Sequence, residues 1–175
     1  MKETERTIWK RIYAPLWENE KRRIKRVKQW INKYLPKIDV VIAGFGADTT
    51  AYISQHPDEQ GEPDLSLRFL DTEIIALEVS GTEQKRGSGY WIRPDKLEYS
   101  KNHPERDVWI VLHYQKPKEC FIWIKPDNQR EYKYIKKNLK GAEEHYVVFD
   151  EADSEVKSSQ EFYDCVSNNL NLMNY

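Results

Sequence analysis

The sequence predicts an α/β chain, and three observations carry that expectation. Apolar residues recur at helical spacing from about residue 4 to 34, β-branched runs at 38–45, 74–80 and 107–114 read as strands, and a short helical segment opening on Pro94 falls between the last two. With 175 residues, 39% hydrophobic and 33% charged, the chain is long enough for one sizeable core, so residues 1–175 are expected to form a single domain.

The first helix has an apolar stripe of Trp9, Tyr13, Leu16, Ile24, Val27 and Ile31, and Pro36 stops it. Pro15 lies inside that stretch, where a missing N–H predicts a break or kink. Residues 21–28, KRRIKRVK, hold six basic side chains that read either as a solvated face or as a phosphate-contacting patch. A strand follows at 38–45, then a turn-rich connection. In PDLSLRFL, Leu65, Leu67 and Phe69 alternate with Asp64, Ser66 and Arg68, the period of a strand with one buried face. Asp71, Thr72 and Glu73 supply a turn into IIALEVS, so a hairpin is expected. GTEQKRGSGYWI reads as a flexible connection, and RPDKLEYSKNH as a short helix ended by Pro104. Residues 107–114 and 120–124 read as buried strands, EYKYI and HYVVFD as further strands, and SSQEFYDCVSNNLNLM as a closing amphipathic helix. The late aromatics Tyr132, Tyr134, Tyr146 and Phe149 are expected on the packed face of a sheet.

Several function classes are disfavoured by composition. The net charge of −1 provides no global basic field, so a nucleic-acid partner would have to be held by local patches. Cys120 and Cys165 match neither a zinc pattern nor a disulfide scaffold, and His56, His103, His113 and His145 are scattered without metal-ligand spacing. GFGADTT lacks the third glycine and the lysine of a phosphate-binding loop. No apolar run approaches the roughly 20 residues that span a bilayer, and the charged start is unlike a signal peptide. A soluble, cytoplasmic protein with no membrane partner is the expectation.

Chemistry concentrates in the hairpin. A turn on residues 71–73 sets Leu70 opposite Ile74 and Asp64 opposite Ser80, which puts Asp64, Ser66, Glu78 and Ser80 on one face. Asp64 and Glu78 would then be diagonal neighbours about 7–8 Å apart between backbones. Glu78 interrupts the apolar run IIALEV, where an ionised carboxylate is costly unless paired or bound to metal. The pair suits Mg²⁺ or Mn²⁺, which take a few protein oxygens plus water and phosphate. The plainer alternative is that Asp64 only begins a strand and Glu78 pairs with a Lys or Arg.

Pro63-Asp64, a hairpin, then Glu78-Val79-Ser80 resembles the PD-(D/E)xK, restriction-endonuclease-like nuclease superfamily. The resemblance covers residues from about 4 to 114, with residues 115–175 adding strands and a helix. It implies a helix, a mixed β-sheet flanked by helices, a crossover helix and a further strand. It also implies a metal-dependent nuclease hydrolysing phosphodiester bonds, in DNA by preference, with Asp64 and Glu78 as metal ligands and the Val79 carbonyl as a third. Ser80 stands where the family's motif lysine would be. Some members carry that lysine on the following helix, and Lys96 occupies that element, with Lys85 as the second candidate. Tyr99, three residues on from Lys96, shares its helical face and resembles the tyrosine that accompanies the lysine. Glu20 lies on the apolar stripe of the first helix and matches the glutamate that supports the site, with Glu18 as fallback; a buried ion pair with an Arg is the alternative. Lys85, Arg86 and Arg93 are the candidates for nucleic-acid contact, interleaved with Tyr90 and Trp91, which could equally be core. A homodimer is implied by analogy only. The competing expectations are a catalytically inactive nucleic-acid-binding module on the same fold and a protein–protein adaptor.

Overall fold

In the computed structural model the described backbone comprises residues 5–44, 62–85, 87–139 and 142–173, with side chains described outside 5–17, 139, 142 and 143. Trp9, Tyr13, Leu16, His56, Arg86 and most of GFGADTT therefore lie outside the described side chains or residues.

Helix α1 (Glu5–Tyr34) leads into strand β1 (Asp39–Ile42), then β2 (Leu65–Phe69) and β3 (Thr72–Ser80). After β4 (Tyr90–Ile92) comes helix α2 (Pro94–Asn102), followed by β5 (Val108–Tyr114) and β6 (Cys120–Ile124). Strands β7 (Tyr134–Leu139), β8 (Ala142–Phe149) and β9 (Val156–Lys157) precede helix α3 (Ser159–Met173). Six strands form a mixed sheet ordered β1-β2-β3-β5-β6-β9, in which only β3 and β5 run parallel. Joining parallel neighbours requires a crossover, and α2 lies in that connection. The result is the α/β order expected from the sequence, a mixed sheet flanked by helices: helix, antiparallel strands, crossover helix, parallel strand.

Strand alternation sorts the side chains between two cores. On one face Leu65, Leu67, Ile75, Leu77 and Val79 pack with Ile24, Val27 and Ile31 of α1 and Phe162 and Val166 of α3. Trp123 and Phe162 stack there with ring centroids 3.7 Å apart. On the opposite face Ile110, Leu112 and Ile124 meet Leu97 of α2 together with Tyr90, Ile92, Val147 and Phe149 of a second, three-stranded sheet ordered β4-β8-β7. Glu78 and Ser80 pair in register with Ile110 and Leu112, so they point to this second face, beneath α2.

Four expectations change. Helix α1 runs uninterrupted past Pro15. The β2–β3 turn is the two-residue step Leu70-Asp71, both with positive φ (48° and 62°), and β3 already begins at Thr72. Such turns match the twist of the flanking strands. A bulge between Leu67 and Arg68 then shifts the register, so that Leu65 faces Leu77; one residue further, Asp64 comes level with Glu78 rather than with Ser80. The glycine-rich connection contains a strand, β4, which pairs with β8, so it is not all loop. Tyr134 is 57% exposed, its ring stacked on His145 at 5.2 Å rather than set into a core, whereas Phe149 is buried.

Candidate active site beneath helix α2

Asp64 is fixed at both ends. Its backbone carbonyl accepts a hydrogen bond from the N–H of Ala43 at 3.0 Å, and its carboxylate oxygen Oδ2 accepts one from the N–H of Val79 at 2.8 Å. It is 6% exposed. Because β3 is flanked by β2 and β5, Glu78 has no open edge beside it and projects toward α2. Pro94 starts α2 where a missing N–H does no harm, and Lys96 in its first turn reaches back to the sheet. The Lys96 ammonium contacts the Glu78 carboxylate, and the two side chains are 16% and 20% exposed. Glu20, on α1, lies close enough to Lys96 and Glu78 to feel both charges.

Charge in this cluster is out of balance. Burial pushes the Asp64 carboxyl well above the usual range and the Glu78 charge pushes it further, against the pull of Lys96 and the Val79 N–H. Glu20 is also raised, by burial first; Lys96 draws it down, Glu78 drives it up, and Arg23 and Arg93 draw it down more weakly. Burial alone would lower the Lys96 pKa, but Glu78 and Asp64 outweigh it and the ammonium is held more firmly protonated. Three carboxylates thus gather around one close ammonium. Hard oxygen donors with unmet demand for positive charge are the chemistry that a divalent cation such as Mg²⁺ accepts, so the residues fit such an ion. Among the described residues no group of three or more His, Cys, Asp or Glu side chains converges tightly enough to form a metal cage by itself.

The other candidates fall elsewhere. Tyr99 does not reach Lys96: it is buried against Ala76 and Val108, stacks on His103 at 4.0 Å, and its hydroxyl accepts a hydrogen bond from Arg106. Arg106 also holds Glu73 through Nε at 2.8 Å and Nη2 at 2.9 Å, and Glu62 through Nη1 at 2.7 Å. The Ser66 hydroxyl adds a bond of 2.6 Å to Glu73. Nothing in the sequence pattern singles out Arg106, since its partners lie 33 and 44 residues away. Lys85 sits 4.2 Å from the ring centroid of Tyr90, not at Glu78. Arg93 pairs with Asp95 at 3.1 Å on the surface. Glu18 is exposed, whereas Glu20 is half-buried. Arg86 lies outside the described residues.

No protein-family model matches the chain, and no curated protein matches it. Among solved structures a Holliday junction resolvase, Hjc, of the archaeal hyperthermophile Archaeoglobus fulgidus is similar with a TM-score of 0.47 and 12% identity, over 81% of this chain and 98% of that one. A likeness at that level carries no weight for function. No helix among the described residues is long and apolar enough to cross a membrane.

Proposed function

We propose that the chain is a nuclease that hydrolyses phosphodiester bonds, with DNA as the preferred substrate and Mg²⁺ or Mn²⁺ as cofactor. The observation that carries this reading is the contact of the Lys96 ammonium with Glu78 beside the buried Asp64, with Glu20 near enough to feel both charges and with Asp64 and Glu20 shifted upward. Perturbed carboxylates facing one another under a helix are a common mark of a working site.

Asp64 and Glu78, with the Val79 carbonyl, would hold the ion. When bound, it supplies positive charge to the scissile phosphate and a water of lowered pKa. The Val79 N–H fixes the Asp64 carboxylate through Oδ2 and leaves its other oxygen without a hydrogen bond from that N–H. Lys96, firmly protonated, neutralises Glu78 in the metal-free protein; when Glu78 is engaged by the ion, the same ammonium is available to the phosphate oxygens that gain charge. Lys96 thus takes the role for which Ser80, with no cation, is unsuited. Glu20 supports the site from α1 and adds to its negative charge. Tyr99 acts from a distance, by anchoring α2 to the hairpin through Arg106.

One observation favours a second reading. Lys96 already occupies Glu78, so the same residues could form a self-neutralised pair in a module that binds nucleic acid without cutting it. Cleavage of end-labelled duplex and branched DNA by the purified protein separates the two. The nuclease reading expects Mg²⁺- or Mn²⁺-dependent cutting that EDTA stops, and loss of it in Asp64→Ala and Glu78→Ala proteins that still fold. Full activity in both variants overturns it, and EDTA-resistant binding with no cutting under either metal establishes the alternative.

A further inference from the structure

Beyond Glu78, where β3 ends, a partly open pocket of ≈ 150 Å³ is lined by Ser80, Gly81, Trp91, Arg93, Tyr114 and Tyr146. The roles proposed for Asp64, Glu78, Lys96 and Glu20 do not use it. We infer that this pocket receives a single unstacked nucleobase, so that the protein prefers nucleic acid carrying an unpaired nucleotide next to the bond at the Asp64–Glu78 site. The position of the pocket relative to the reacting phosphate rests on the nuclease reading; the pocket itself does not.

Size and walls both point to that ligand. A cavity of about 150 Å³ holds a benzene-sized ring, which makes a pyrimidine the best-fitting base and leaves a purine to extend through the open side. The walls are aromatic and come from separate strands: Trp91 from β4, Tyr146 from β8 with its centroid 5.4 Å from that of Trp91, and Tyr114 from β5. Burial pushes the Tyr114 phenol up to about 12, so it stays neutral at any working pH. Such walls bind a flat apolar ring whatever its sequence identity. Trp91 also carries an indole N–H that is shielded from solvent and has no partner among the described residues. A buried donor without an acceptor is costly, and a carbonyl oxygen of a base is the kind of acceptor that would satisfy it.

Glycines give the pocket its shape. A Cβ at Gly81, where φ is +126°, would fall 2.1 Å from the carbonyl oxygen of His113, and one at Gly89, where φ is +85°, 2.7 Å from a Val148 methyl. Both backbones can therefore approach their neighbours closely enough to leave room for a ring. The rim is basic. Lys137 lies 5.3 Å from the Trp91 centroid, and the Arg93 guanidinium is 62% exposed in a surface pair with Asp95 that a phosphate could displace at little cost. Glu144 is the acidic neighbour on this side, in contact with the Tyr146 hydroxyl. Ser80 follows Glu78 by two residues on the same face, roughly 7 Å along the strand. That is on the scale of the distance from a phosphate to its own base.

The test is equilibrium binding in EDTA, by fluorescence anisotropy, of a labelled duplex with one unpaired thymidine against the same duplex fully paired. Wild type is expected to bind the unpaired form about tenfold more tightly, within the range that stacking of one base on aromatic side chains provides. In Trp91→Ala and in Tyr146→Ala, which alters a different strand, that ratio should fall to about threefold or less. A wild-type ratio near one, or a wild-type ratio retained in either folded variant, overturns the inference. Should Trp91→Ala fail to fold, Tyr146→Ala decides. Binding in EDTA does not depend on cleavage, so failure of the nuclease reading and failure of the pocket are separate results.

Discussion

The β2–β3 hairpin carries two clusters of carboxylates beneath the same helix, and they are tuned in opposite directions. Toward the hairpin turn, Glu73 lies between Arg106 and Ser66; burial would raise it, but the hydrogen bonds from Arg106 and Ser66 win and its pKa is lowered. Arg106 is in turn raised by its bond to Glu73. Toward the other end, Asp64 and Glu20 are raised because burial and Glu78 outweigh one close ammonium. A satisfied ion pair holds a fold together. A cluster short of positive charge stores demand for a cation, and it is the second cluster to which the proposed function assigns the chemistry.

Substitution should separate the two clusters most sharply in activity. Asp64→Ala or Glu78→Ala is expected to reduce metal-dependent cleavage by about 10³-fold or more, with the far-UV circular dichroism unchanged. Arg106→Met should do the reverse. It strands Glu73 and Glu62 and is expected to cost about 3 kcal/mol of stability in urea unfolding, the low end for breaking a largely buried pair because Glu62 is half exposed. Any loss of cleavage in that variant should track its unfolding and be recovered at lower temperature.

Binding of a cation should be visible as stability. Saturating Mn²⁺, at about a hundred times its dissociation constant, should stabilise the wild type by about 2.7 kcal/mol and leave Asp64→Asn unmoved in thermal melts.

The smallest effect is in the pH dependence, where the two clusters have opposite signs. Asp64 and Glu20 are raised on folding, so their contribution is complete below the ordinary carboxylate pKa and is lost as pH rises through their raised values. Glu73 is lowered, so its contribution is present above the ordinary carboxylate pKa and is lost as pH falls through its lowered value. In metal-free protein Asp64→Asn should therefore flatten the fall in stability toward neutral pH. Arg106→Met should instead flatten the fall on acidification. Urea titrations across pH 3 to 8 read both slopes; equal slopes in the three proteins would remove the contrast.

Much of the candidate site was legible because it depends on period alone. Asp64, Ser66, Glu78 and Ser80 share a face in any register that keeps their parity, and the real shift, from Asp64 opposite Ser80 to Asp64 level with Glu78, keeps it. Lys96 was reached through the resemblance, which puts such a lysine on the helix after the hairpin, an element that Pro94 marks in the sequence. The register itself was hidden: Leu70 adopts positive φ without the Gly or Asn that usually announces such a turn, at a cost of roughly 1 kcal/mol. The bulge after Leu67 left no sequence signal either. Tyr99 was read, from its spacing and the resemblance, as positioning either Lys96 or backbone, but its hydroxyl goes to Arg106, seven residues on and past the end of α2. Strand β4 was missed for a similar reason: three residues among glycines are held as a strand by pairing with β8, more than 50 residues away. The pocket beside it is built from four strands and their flanking loops, so no window of sequence contains it.

The most direct measurement of the central claim is Mn²⁺ binding at neutral pH, followed by the loss of the free-ion electron paramagnetic resonance signal, in the wild type, Asp64→Asn and Glu78→Gln. The account predicts a saturable Mn²⁺ site in the wild type that both variants lose while remaining folded. No saturable site in the wild type, or equal binding in all three proteins, would contradict it.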